Sequence, residues 1–429
     1  LKRRYFGSRE LCSTVLELPA LLSLMARFVA SDGPGCPEVV VSCMQEAAET
    51  MAGFYYSAQY EAEAQAAPAE QAGDIQRNNS IEESLRSPVP RVALVNRFVP
   101  METQKNMVDS WHMKERPDFT INGVYALPSK EAKVAGIDAF REAASISEEE
   151  EGGNMPRIPT ALKLNPVPEC NQLPCCFMTG AQVLAVQALS VQKGEKVLDL
   201  CAGPGAKALL LASALFAPDS SEASPTLLEA VGSEAGVIAA RGIASGGRLV
   251  LNEPNKARAN VLEALLTAFL PAELLAKGGG ISVTKAEIED KVPLALARLG
   301  PYDKILVDPP CTAARAKALN QNYQYSKATV KQNAELQQVL LKNAGALLKP
   351  GGIIVYTTCS IEEKENDDVV KHFLRRVGDA FETVNDEDDA PKPKGATPTM
   401  HGVGFFPGAG TTHGPLYVSR IEKVDPDME

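Results

Sequence analysis

The chain has 429 residues, of which 45% are hydrophobic and 23% charged, an ordinary globular composition with room for two domains or one large one. Its formal net charge of -11 argues against a protein that grips bare nucleic acid by charge alone; an RNA substrate would need a local basic groove or a partner. No apolar run reaches the length needed to span a bilayer, so no membrane is expected among its partners.

Nine cysteines lie at irregular spacing without a paired CxxC, and the four histidines form no HExxH or comparable set. Free thiols in a reducing compartment fit this better than a disulfide framework or a metal site. The first residue is Leu1 rather than Met, from which a longer precursor is expected. The opening LKRRYFGSRELCS is basic, with Glu10 its one acid. It reads equally as the remnant of an organellar presequence and as an ordinary basic terminus.

Residues 11–30 are apolar at helical spacing, and a second helix is expected over 43–66, with Phe54, Tyr55, Tyr56 and Tyr60 among alanines and glutamates. The run AAPAEQAGDIQRNNS breaks the pattern. VALVNRFV at 92–99 is a buried strand or short helix, and 100–170 is turn-rich without clear period. Glu148 to Glu151 precede Gly152 and Gly153 as a solvated linker. A domain boundary is placed near 165, with a helical and irregular region over 1–165 and a second domain over 166–429.

Beyond it the pattern alternates. A helix is expected at 180–192, strand 196–201, a glycine turn, helix 205–216, then a small-residue stretch at 217–246. Strand 248–253, helix 255–269, strand 281–284, a helix near 287–298 and strand 303–308 follow. Helix 328–348, strand 352–358, helix 364–377 and a last strand at 416–423 complete the series, with 385–399 a surface loop. Strands separated by helices predict an α/β fold, a mainly parallel Rossmann-like sheet with helices on both faces. In such sheets ligands bind outside the carboxyl ends of the strands.

Three motifs fall at such ends: KVLDLCAGPGAK, KILVDPPC and GIIVYTTCS. In the first, Gly203, Pro204 and Gly205 bend the chain after Asp199 so that its backbone can approach a ligand closely. Downstream, RLVLNE ends in Glu253, an acid placed to hold a ribose. Two structural turns in an unrelated α/β fold would look the same. Cys311 follows Asp308 and two prolines, and Cys359 ends the third run. A lone free cysteine is most often a small buried hydrophobe. Two at the ends of neighbouring strands point to chemistry. Cytosine C5 is a poor nucleophile, and a thiolate that adds to C6 makes C5 reactive toward a sulfonium methyl group. An acid near N3 assists the addition, and Asp308 is placed for that. Methyltransferases acting on nitrogen often carry an aromatic residue where Cys311 stands. IEEKENDDVV after Cys359 reads as an acid-rich helix start that suits the helix dipole, with Glu362, Glu363 and Lys364 read as a solvated capping turn.

At these residues the chain, over 178–423, resembles the Sun-domain RNA cytosine-5 methyltransferases. That family's cofactor motif looks like VLDLCAAPGGKT, where this chain has VLDLCAGPGAKA. LVDPPCT is similar to the LVDVPCT of a mitochondrial branch, and GGIIVYTTCSIEEKEN to GGxxVYSTCS followed by an EN pair. NEPNKARANVLEALL resembles the ribose segment, and THGPLYVSRIEK the branch's terminal strand. The resemblance implies a domain that uses S-adenosylmethionine. It implies Cys359 as the nucleophile toward C6, Cys311 as the group that assists product release, Asp308 on the base and Lys207 orienting it. It further implies Cys201, Ala202, Gly203, Pro204, Gly205 and Lys207 lining the cofactor, together with Asp308, Glu253 on its ribose, Arg258 beside it, and Glu287 where the family has an aspartate near the adenine. Ala206 and Ala208 replace a glycine and a threonine of the pattern, and Gly203 replaces an alanine.

The leading expectation is a mitochondrial matrix enzyme that methylates cytosine in ribosomal RNA. It would take part in mitoribosomal subunit assembly and pair with an mTERF-like helical-repeat protein. A second is an assembly factor that keeps the fold as a binding module without turnover, motivated by the altered glycine turn. A third, a DNA cytosine-5 methyltransferase, would use Cys311 as nucleophile; the TCS motif argues against it.

Overall fold

A computed structural model describes residues 85, 89, 91–116, 118–127, 166–218, 243–288, 291–318, 326–384, 395–406 and 413–426. The helices expected over 11–30 and 43–66, the acidic linker at 148–151 and most of the stretch 217–246 lie outside the described residues.

The first elements are β1 (Arg91–Val95), α1 (Met101–Ser110), β2 (Lys114–Glu115) and β3 (Val124–Ala126), followed by β4 (Cys175–Thr179) and α2 (Gly180–Gln187). VALVNRFV thus opens as a strand. β1 pairs antiparallel with β3 and with β4, giving a small four-stranded sheet in the order β2-β3-β1-β4. One face, with Ala93, Val95, Cys175 and Phe177, packs on Met107 and Met113. The other, with Val92, Leu94 and Met178, joins the main core. Strands on both sides of residue 165 in the chain therefore build one sheet. α2 starts with a capping box, the Thr179 N–H donating to Gln182 Oε1 at 2.9 Å.

The second sheet begins with β5 (Lys196–Asp199), α3 (Ala206–Phe216), β6 (Arg248–Asn252), α4 (Lys256–Phe269), α5 (Ala272–Leu275) and β7 (Ile281–Thr284). It continues with α6 (Leu294–Leu299), β8 (Tyr302–Val307), α7 (Ala314–Ala318), α8 (Lys327–Leu347), β9 (Leu348–Thr358) and α9 (Asp367–Val377). The last strands are β10 (Phe381–Thr383), β11 (Thr397–Pro398), β12 (Val403–Phe405) and β13 (Leu416–Lys423). The order is β11-β12-β13-β9-β8-β5-β6-β7, with β10 also on β13. β5 to β9 are mutually parallel, whereas β13 runs antiparallel to β9, so the sheet is mixed.

Alternate residues of each central strand face opposite layers, which is why these strands read as continuous apolar runs. Val197, Leu306, Ile353 and Val355 pack with α3 and α4. Leu198, Ile305, Val307, Ile354 and Tyr356 pack with α8 and α9. The helix expected near 287–298 is shorter, because Pro293 fixes the N-cap and α6 starts after it. The helix expected over 364–377 is interrupted at Asn366 (φ -116°, ψ -107°) and becomes a short 3₁₀ turn, Glu363–Glu365, followed by α9. Within the loop expected at 385–399, Thr397 and Pro398 form β11.

Asn96 ties the two sheets. It is fully buried, its amide donates to the carbonyls of Leu173 (2.8 Å) and Phe269 (2.7 Å), and its oxygen accepts from the Phe98 N–H at 2.9 Å. Asn96→Ala removes three bonds inside the protein and is expected to cost about 3 kcal/mol. Urea unfolding should show a lower midpoint with an unchanged slope; a midpoint equal to that of the parent would contradict this role for Asn96.

Candidate active site

β9, β8 and β5 are neighbours, and each of the three motifs leaves the sheet at the carboxyl end of one of them. Buried Asn252 binds the neighbouring ends together. Its amide donates to Leu200 O (3.2 Å) and Ala286 O (3.1 Å), and its oxygen accepts from Thr284 Oγ1 (2.8 Å) and the Ala286 N–H (3.0 Å). The Ala202 N–H donates to Asn252 O at 2.9 Å, so the glycine turn hangs from this residue.

Within the turn, the Gly203 N–H donates to Glu253 Oε2 at 3.2 Å, and Arg258 Nη2 reaches both that oxygen (3.2 Å) and Gly203 O (2.5 Å). The Asn255 N–H holds the other carboxylate oxygen at 3.0 Å. A Cβ on Gly203 would stand 2.4 Å from Glu253 Oε2, so the acid fills the place that an alanine would take. Gly205 has φ of +124°, which side chains rarely adopt. Pro204 is exposed at the tip of the turn, and Ala206 opens α3 half-buried. Ala208 is buried in the apolar layer beneath the turn, where a hydroxyl would have to find a partner.

Lys207, in the first turn of α3, places Nζ 2.5 Å from Asp308 Oδ2 at the end of β8. Burial works against its charge, but Asp308, with Asp199 and Cys359 adding, holds its pKa above the ordinary lysine value. Asp199 lies beneath, its Oδ1 accepting from the Cys201 N–H at 3.3 Å. Burial pushes its carboxyl up to about 7; Lys207 opposes this, and Asp308 and Glu253 reinforce it. Burial and Asp199 also raise the Cys201 thiol well above its usual value, so its sulfur is a poor nucleophile.

Cys311 and Cys359, each half-buried, bring their sulfurs to 3.2 Å. The Cys311 thiol is held well above the ordinary value, first by its bond with Cys359 and then by burial. The contact has no fixed direction: either sulfur can donate to the other. The arrangement is two sulfurs in hydrogen-bond contact beside a lysine–aspartate pair on the adjacent strand end.

Most of the residues picked out in the sequence thus meet on one edge of the sheet: Cys201 to Gly205, Lys207, Glu253, Arg258, Asp308, Cys311 and Cys359. Glu287 lies exposed three residues beyond the end of β7. The sequence reading missed Glu365 and Asn366. Glu365 is fully buried and accepts from the Thr312 N–H at 3.0 Å and from Ser360 Oγ, while Asn366 Oδ1 accepts from Thr358 Oγ1 at 2.6 Å. Their one sequence signal was the EN pair, which follows a capping turn that reads as solvated at Glu362, Glu363 and Lys364.

A nucleotide-type cofactor fits this edge. The turn is bare of side chain where a Cβ would collide, and the acid at the end of β6 is buried and fixed by three donors.

Residues 214–421 match the family model described as 16S rRNA methyltransferase RsmB/F. The mitochondrial tRNA (cytosine(34)-C(5))-methyltransferase of Danio rerio is 30% identical over 256 residues, 58% of this chain and 60% of that protein. The 5-cytosine rRNA methyltransferase NSUN4 of Mus musculus is 31% identical over 215 residues, 48% of this chain and 46% of that one. The chain thus spans roughly half to three-fifths of the length of these relatives. The structure of NSun6 from Pyrococcus horikoshii with SFG shares the fold at a TM-score of 0.52 and 16% identity, covering 82% of this chain and 95% of its own.

The raised carboxyl of Asp199 has a pH signature. Between its ordinary value of 3.8 and about 7 the folded chain holds this proton more tightly than the unfolded one, so the Asp199 contribution to stability falls as pH rises through that window. Asp199→Asn keeps an acceptor for Cys201 and removes the titration. The stability of the variant relative to the parent should rise between pH 4 and 7, by at most about 1.4 kcal/mol per unit, and level off above. A difference independent of pH would contradict the assignment.

Proposed function

We propose that this chain, whose residues 214–421 match the family model described as 16S rRNA methyltransferase RsmB/F, is an S-adenosylmethionine-dependent RNA cytosine-5 methyltransferase. The observation that carries the proposal is the 3.2 Å approach of the Cys311 and Cys359 sulfurs beside the Lys207–Asp308 pair.

S-adenosylmethionine supplies the methyl group, and Gly203 to Gly205, Glu253, Arg258 and Glu287 are the residues that would hold it. Cys359 forms a bond from sulfur to C6 of the cytosine. As that bond forms, the Cys359 thiol proton passes by way of Asp308 to N3 of the base, and Lys207, bonded to Asp308, fixes the direction in which Asp308 points. Cys311 is placed to act at the end of the reaction. Once C5 is methylated, the C5 proton passes to solvent water, its bonding pair forms the C5–C6 double bond, N3 returns its proton to Asp308, and the Cys359 sulfur leaves C6 with the bonding pair, a departure Cys311 assists. The leaving Cys359 sulfur then takes up the Cys311 hydrogen bond.

The substrate we favour is ribosomal RNA in the mitochondrion, supported by the family description and by the likeness to NSUN4. The likeness to a mitochondrial tRNA methyltransferase names the competing substrate, and assay of both RNAs decides between them. The finer proposal is a matrix enzyme that joins mitoribosomal subunit assembly together with an mTERF-like helical-repeat protein. The net charge of -11 favours RNA affinity supplied by such a partner. A catalytically silent assembly factor is the second reading, favoured by Ala206 and Ala208 in the cofactor turn.

Cys359→Ala should lower methyl transfer by at least about 1,000-fold while cofactor affinity stays within about threefold, read by calorimetry and tritium transfer. Cys311→Ala should instead accumulate a covalent RNA–protein adduct visible on denaturing gels. Glu253→Ala should weaken cofactor binding by about tenfold or more. An unaltered parent that binds no S-adenosylmethionine at millimolar concentration would select the silent assembly role.

A further inference from the structure

The parallel ladder between β8 and β9 ends at Val307 opposite Tyr356, and both reactive sulfurs lie past it, on loops. Ladder pairing alone therefore does not set their separation. Those loops are held by a buried polar group. Glu365 has no solvent exposure, yet its carboxylate bonds to the residue that follows each cysteine. Oε1 accepts from the Thr312 N–H at 3.0 Å, and Oε2 accepts from the same N–H at 3.3 Å and from Ser360 Oγ. From α8, Asn333 Nδ2 (2.8 Å) and Gln337 Nε2 (3.4 Å) donate to Oε1, and Gln337 also donates to Pro310 O at 2.9 Å. Residues on both sides of Cys311 thus belong to this network. Asn366 does the same for Cys359, accepting from Thr358 Oγ1 at 2.6 Å and donating to Ser360 O at 3.1 Å. Tyr356 Oη donates to Glu365 O at 2.6 Å, which fixes the backbone of the bridge to the last residue of β9 that pairs with β8.

A buried carboxylate is costly unless several donors meet it, and here its donors come from the Cys311 loop, the Cys359 loop and α8. An apolar residue of similar size would fill the volume but could not hold two loops in register. We propose that Glu365 is the positioning residue of the thiol pair, and that its carboxylate, with Asn366 in support, sets the approach of the Cys311 and Cys359 sulfurs. It touches neither sulfur and lies beneath the site. The catalytic consequence rests on the methyltransferase reading above; the geometric one does not.

The test uses phenylarsine oxide, in which one arsenic bonds two neighbouring thiols and the oxide oxygen leaves with both thiol protons as water. Peptide mapping by mass spectrometry reads capture at Cys311 and Cys359 specifically, in the full chain. The unaltered protein should bridge the two cysteines, and Cys359→Ser should abolish the bridge. Glu365→Ala should weaken capture by about tenfold or more, Ser360→Ala should weaken it less, and Glu365→Gln, which keeps one acceptor, should fall between. In methyl transfer the Glu365 variants should lose about 100-fold in kcat, with the KM for S-adenosylmethionine within about twofold. If Glu365→Ala fails to fold, Glu365→Gln and Ser360→Ala decide. Capture equal to the parent in the folded variants overturns the proposal, as does a parent that is not bridged. A parent that is bridged but transfers no methyl group overturns the enzymatic reading and leaves the positioning role standing.

Discussion

Side-by-side parallel pairing of β8 with β9 is the constraint on which the site depends. With Val307 opposite Tyr356, β8 ends there and β9 two residues later, and cysteines 48 residues apart in sequence emerge over one edge. β5 is the other neighbour of β8, so the glycine turn that follows it, and Lys207 after the turn, reach the same edge. Exchange of β8 with β5 would separate the thiols from one another, and exchange of β8 with β9 would separate Asp308 from Lys207. The apolar alternation that packs each strand on both faces therefore also fixes the order in which the chemical groups are set out.

Around that edge, charge is distributed unevenly. Glu253 is neutralised by Arg258 and two backbone donors, and Asp308 by Lys207. Asp199, beneath them, has its carboxyl pushed up to about 7 by burial. An edge that holds its negative charges in pairs can admit a cationic sulfonium and a neutral base without leaving an uncompensated carboxylate. The Cys311 thiol, raised by its bond with Cys359 and by burial, fits the same logic: it adds no further negative charge to the edge.

Much of this was legible in the residues. The alternation of strands and helices over 166–429, the motifs at strand ends and the two cysteines are all short-range patterns, and short-range patterns survive in a sequence. The small sheet was not legible, because β2 and β3 are two and three residues long and β1 finds β4 some eighty residues away. The run of acids after Cys359 misled for a physical reason. Glu363 is exposed as expected of a solvated turn, but Glu365, two positions on in the same 3₁₀ turn, is fully buried. Composition cannot distinguish them; the donors that meet Glu365 come from α8 and the Cys311 loop, far off in the chain. Pro293 was the opposite case, a local signal that fixed where α6 begins.

The measurement that bears most directly on the account is to map where the protein becomes attached to RNA carrying 5-fluorocytidine in the presence of S-adenosylmethionine. Fluorine at C5 blocks the final loss of a proton, so the nucleotide stays on the sulfur that attacked C6. Digestion and mass spectrometry should find the modified nucleotide on the peptide containing Cys359. Attachment at Cys311, or no adduct from a protein that binds both RNA and cofactor, would contradict the roles assigned to the two thiols.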